Sequence, residues 1–241
     1  MISIFLKEVN EFLDSLIAYV VIGVFLIGIG LLMWVFPDTN VLDYGYASME
    51  PLFSLGPYMF MFLIPAITMK SFAEEKRSGT IELLQTLPFR DSQIIMGKFL
   101  AGFFLVLFSV LPTIIYYYSL SYLSNPVGNL DTPGIIGSYI GLVFLGGVFT
   151  AIGVLASALT GNQIVSFILA AFLCFFFYAG FDAVAEINLW ADWSYYIAEL
   201  GIMAHYTSIS RGLLDFKDVV YFGSLMALML LFTQLTLGFG K

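Results

Sequence analysis

Only a few side chains in this sequence could do chemistry, and none has the company that catalysis needs. Glu74 and Glu75 form a carboxylate pair of the kind used in metal-dependent hydrolysis. Such a site also requires histidine ligands, and the single histidine, His205, lies in a distant part of the chain, where it reads as a polar residue at a membrane interface. Ser138 follows Gly137, but no base lies on a matching segment to activate it as a nucleophile. Cys174 is the one cysteine and sits in the apolar run Phe172–Tyr178, so it cannot form an internal disulfide and reads as a small core residue. Gly97-Lys98 is followed by Phe99, with no glycine five residues earlier, so it is no phosphate-cradling loop. These observations point to no catalytic residue, no metal site and no cofactor on this chain.

The elements carrying these residues are made for lipid. Of 241 residues, 60% are hydrophobic and 11% charged, about half the charged share of a soluble domain. Mean hydropathy is +0.96. A net charge of −8 argues against a nucleic-acid partner, which needs a basic face. Six apolar stretches, at 16–36, 56–73, 93–123, 134–159, 163–186 and 218–239, are each long enough to cross a bilayer as a helix. The third contains Pro112 and is expected to kink there. Residues 2–14 read as an amphipathic interfacial helix, with Ile2, Phe5, Leu6, Val9 and Leu13 on one face and Lys7, Glu8, Asn10, Glu11 and Asp14 on the other. The charges ahead of the first apolar run, and the length of that run, mark it as an anchor and not a cleaved signal.

With both termini in the cytoplasm, Lys7, Lys70, Lys76, Arg77, Arg90, Lys98 and Lys241 face inward, leaving Arg211 and Lys217 outside. The positive-inside rule favours this arrangement. Asp182, Glu186, Glu199, Asp215 and Asp218 are then among the outward-facing acids. The segment 187–217 is half apolar and rich in aromatics (Trp190, Trp193, Tyr195, Tyr196), which suits short helices in the outer leaflet. Gly137, Gly141, Gly146, Gly147 and Gly153 line the fourth span for close helix packing, within the subunit or across a dimer. An ion-coupled secondary transporter is the alternative reading. It would be expected to bury ionisable residues inside its spans, and these spans hold almost none; Lys98 lies near a cytoplasmic end and can snorkel.

The largest charge cluster joins the second and third spans, from Phe72 to Asp91. Ser78 or Thr80 can cap a short helix over 80–87 with Glu82 in its first turn, Ile81, Leu84 and Leu87 on one face, and Pro88 at its end. On its residues alone the segment fits either a helix docking on a partner protein or a solvated charged loop.

Glu75-Lys-Arg-Ser-Gly-Thr-Ile-Glu-Leu-Leu-Gln-Thr-Leu-Pro88, with Gly97-Lys98 opening the next span, resembles the signature of ABC-2-type transporter permeases. Pro57–Met69, Asn125–Gly128 and His205–Asp215 extend the resemblance to the gliding-motility-associated permease subunit of Bacteroidota, the GldF type. The resemblance implies an all-α fold of six transmembrane helices with a cytoplasmic coupling helix at 74–88, in the bacterial inner membrane. Glu74, Glu75, Arg77, Gly79, Thr80, Ile81, Glu82, Leu83, Leu84, Leu87 and Pro88 would dock on an ABC ATPase subunit. ATP and Mg would be held on that ATPase. A second membrane subunit with a large extracytoplasmic domain, and at least a dimer of transmembrane subunits, would complete the assembly.

Overall fold

A backbone surrounded by apolar side chains must satisfy its own N–H and C=O groups, and in a single chain without barrel periodicity the helix is the solution. The computed structural model describes residues 1–43, 45–81, 90–187, 193–212 and 215–238. Among them no strand occurs, and six helical segments are long and apolar enough to cross a membrane.

Helix α1 (Ile2–Leu13) precedes α2 (Leu16–Trp34), whose start is capped by Ser15 accepting from the Ile17 N–H. Only part of the predicted apolar face of α1 is used against the protein. Ile4 and Val9 are buried, Ile2 and Leu6 remain exposed, and Glu8 from the polar side turns inward. Helix α3 (Glu50–Thr68) begins at Glu50 and not at residue 56, so the connection before it is shorter than hydropathy suggests. It leads to the short α4 (Ala73–Ser78).

Helix α5 (Asp91–Val110) breaks at Pro112 into a 3-10 turn (Leu111–Thr113) and resumes as α6 (Ile114–Leu123), because proline lacks a donor and crowds the preceding turn. Helix α7 (Thr132–Leu159) is capped by Asp131, which accepts from the Gly134 N–H. Helix α8 (Gln163–Phe175), capped by Asn162, runs through a π turn (Phe176–Gly180) into α9 (Phe181–Ala185). The segment before the last span contains α10 (Ser194–Ala198) and α11 (Ile202–Ser210), helices as its aromatic and apolar content predicts. Helix α12 (Phe216–Gly238) closes the described chain.

Helix α7 is the axis of the bundle: 83% of its apolar window is buried, and it packs on α3, α5, α8, α11 and α12. Its small residues make this possible. A Cβ on Gly137 would lie 2.8 Å from Gly212 Cα and 2.9 Å from the Ile209 carbonyl oxygen. The glycine stripe is therefore filled from within the subunit. Helices α2, α8 and α12 bury far less of their windows and turn apolar faces outward, as lipid-facing helices do. The main core runs between α2, α3, α5 and α7 through Phe25, Ile29, Phe60, Ile64, Leu105, Val148 and Ile152.

Candidate functional site

Where α3 gives way to α4, four elements converge at one end of the bundle. The turn exposes the backbone N–H groups of Phe72 and Ala73, and both donate to Ser157 Oγ on α7, at 2.8 and 3.0 Å. Ser157 Oγ in turn lies 3.2 Å from the Met69 carbonyl oxygen, to which it donates. One hydroxyl thus satisfies three backbone groups that a helix break would otherwise orphan. Lys76 Nζ donates to the Ala158 carbonyl at the end of α7.

The centre of the cluster is Lys98 on α5. Its side chain is 1% exposed, so it does not snorkel as its position near a helix end suggests. Its ammonium donates to Glu8 Oε1 at 2.7 Å, the Ser71 carbonyl at 2.6 Å and Glu75 Oε1 at 2.9 Å. Three donors meet three acceptors, one each from α1, the turn before α4, and α4. The Phe72 ring lies 5.0 Å from the ammonium and adds a cation–π contact. Two carboxylates around one ammonium leave an excess negative charge. Lys7 Nζ, 3.9 Å from Glu75 Oε1, partly compensates it from the surface. Glu75 Oε2 is buried without a partner.

The neighbouring residue Gly97 explains how α1 comes so close. A Cβ there would stand 3.1 Å from Ile4 Cβ and 3.3 Å from the Met1 carbonyl oxygen. Gly97 lets α1 lie on α5, and Lys98 then holds it there through Glu8. Ile4, Phe72, Ile94, Ile95, Val154 and Ala158 form a small apolar core under the charges, which keeps water from the pair. Lys98 spends all its donors inside the protein, so it has none to offer a phosphate.

The residues singled out from sequence divide between two roles. Glu74, Arg77 and Thr80 are exposed and Ile81 is half-buried, while Glu75 points inward to Lys98. Gly79 ends α4 in the left-handed region, at φ +71°, which favours glycine. Ser78 Oγ lies 2.9 Å from Thr80 Oγ1 across that turn. Glu82, Leu83, Leu84, Leu87 and Pro88, and with them the helix expected over 80–87, lie outside the described residues.

Two features were not legible in the sequence. Ser157 carries no local signal, since its partners are 84 to 88 positions away in the chain. Glu8 looked like one of several charges on a solvated face. At the other end of the bundle, His205, expected as a lone polar residue, and Asp218, expected as one acid among several, form a buried pair. Both are 4% exposed, with Nδ1 2.6 Å from Asp218 Oδ1.

Comparison with individual curated proteins finds none that matches. The family of ABC-2 family transporter proteins matches residues 2–238, nearly the whole chain and all six spans. The chain therefore belongs to the ABC-2 transporter family and is a multi-pass membrane protein.

Proposed function

We propose that this chain is the permease subunit of an ATP-driven transporter and receives its energy through segment 74–88 from a separate ABC ATPase, which holds ATP and Mg. One observation carries this reading: the segment's exposed residues are rooted in the buried ion cluster. Glu74, Arg77 and Thr80 stand at the surface, while Phe72, Glu75 and Lys76 tie the same short helix to α1, α5 and α7. A push on the surface reaches three other elements through bonds that are largely shielded from water. In the proposed topology this end and both termini are cytoplasmic, in a bacterial inner membrane. At least two such subunits surround one pathway. The resemblance to gliding-motility permeases makes that machinery the proposed setting, together with a second membrane subunit bearing a large extracytoplasmic domain.

The test is co-purification of the tagged chain in mild detergent with the cognate ATPase. Leu84→Asp should abolish association without lowering the yield of the permease. Undiminished association of this variant would refute docking through the segment. Ion-driven transport by the chain alone in liposomes would instead favour the ion-coupled carrier, for which the buried His205–Asp218 pair is the one specific observation.

A further inference from the structure

The buried pair at the far end is independent of the ATPase reading, and its hydrogen-bond inventory does not balance with ordinary protonation states. His205 Nδ1 lies 2.6 Å from Asp218 Oδ1, and Nε2 lies 3.0 Å from the Glu199 carbonyl oxygen. A carbonyl oxygen only accepts, so Nε2 must carry a hydrogen. An ionised carboxylate also only accepts, so Nδ1 must carry one too. A neutral imidazole has a single N–H and cannot serve both. Either the ring is an imidazolium beside a carboxylate, or the acid keeps its proton and donates it to Nδ1. The proton count is the same in both.

The surroundings suit the cation. The Tyr221 ring stacks on the imidazole with centroids 3.8 Å apart and planes at 20°. Tyr221 Oη donates to the Leu200 carbonyl at 2.7 Å, and Lys217 pairs with the Glu199 side chain. This pairing holds the Glu199 carboxyl below the usual carboxylate range. The titratable and charged groups on the elements packed around His205 are Lys217, Asp218 and Tyr221 on α12 and Glu199 after α10. Among the described residues, Asp182 on α9, Glu186 after it, Tyr178 in the π turn, Tyr195 and Tyr196 on α10, Asp215 before α12, and Glu50 and Tyr58 on α3 are further neighbours, while α7 offers Tyr139 and no charge. On its own helix lie Tyr206 and, at the C-cap, Arg211.

We propose that His205 and Asp218 form a proton-binding site, holding one proton beyond a neutral imidazole and a carboxylate, whose occupancy fastens α11 to the start of α12. The opposite face of α11 gives the site a consequence. Met203, Tyr206, Thr207 and Ser210 wall a cleft of about 610 Å³ between α3, α7 and α11. When the proton leaves to water, one ring nitrogen faces an acceptor with its lone pair, and a buried hydrogen bond is lost. Asp218 Oδ2 already lacks a partner, so the carboxylate has little to fall back on. The fastening is thus strong at low pH and weakens as pH rises, and the α11 wall of the cleft loosens with it.

The chain has one histidine, so labelling with 15N-histidine reads this site alone. In the full chain in lipid nanodiscs, two protonated ring nitrogens of similar shift are expected at about pH 6, giving way to the separated pair of a neutral ring as pH rises. Ring 15N shifts that do not change with pH would overturn the proposal, whichever partner holds the proton. A second measurement places Thr207→Cys in a Cys174→Ala background and follows labelling by an impermeant maleimide, with and without Asp218→Asn. The ratio of the two rates cancels the thiol's own pH dependence. Labelling should be about tenfold slower with the intact pair at about pH 6, and the rates should converge at about pH 9. A ratio independent of pH would also overturn it.

Discussion

Replacing Lys98 with methionine keeps most of the stem and removes the charge around which α1, α4 and α5 meet. Breaking a buried pair by deleting one partner costs about 3–5 kcal/mol, because the other charge stays behind without compensation. Here two carboxylates stay behind. Their side chains are 18% exposed for Glu8 and 11% for Glu75. Glu8 can recover some water and Glu75 can take up a proton, which places the expected loss near the lower end, about 3 kcal/mol. For a domain of this size each kcal/mol moves the midpoint by about 2–4 °C, so Lys98→Met should lower the thermal midpoint in detergent by about 6–12 °C. Adding Glu75→Gln should recover part of that loss, and adding Glu8→Gln as well should bring the protein close to the wild-type midpoint, because an apolar or neutral replacement of a whole ion cluster is nearly neutral. A single variant within about 1 °C of wild type, or a triple variant less stable than the single one, would show that the cluster is not the electrostatic unit described here.

Ser157→Ala should destabilise by about 1–3 kcal/mol, seen in the same melt, because it orphans the buried N–H groups of Phe72 and Ala73. Gly137→Ala should cost about 1–3 kcal/mol by driving a methyl group against the backbone of Gly212 and Ile209, and protease sensitivity in the 187–217 segment should rise with it. Single cysteines at positions 2 and 240 should resist impermeant reagents added to intact cells; labelling of both would reverse the proposed topology.

The architecture was largely written in the sequence because lipid imposes a simple code: length and apolarity locate a span, and proline locates a break. Pro112 and the six runs illustrate it, as do the helices before the last span. Glu50 shows the limit, since proline at the second helical position allows α3 to begin before its apolar core does. The site was legible only at its surface. Glu74-Glu75 is visible in the sequence as a charged pair, but which carboxylate turns inward depends on Lys98, Glu8 and Gly97 meeting in space. His205 and Asp218 stand 13 residues apart on successive helices, and nothing in either local pattern signals that they pair.

The position of α7 has a mechanical consequence. Its 28 residues make a rod of about 42 Å. Packed among the helices around it, it cannot slide past one without displacing the others, and close-packed interiors are barely compressible. At one end Ser157 grips the turn before α4, and at the other Ser138 donates to the Ser210 carbonyl at 2.9 Å. A tilt about the midpoint that moves the Ser157 end by a given distance therefore moves the Ser138 end by a similar distance in the opposite direction. The subunit has the internal stiffness of a lever, with α2, α8 and α12, which bury least of their surface, standing around it.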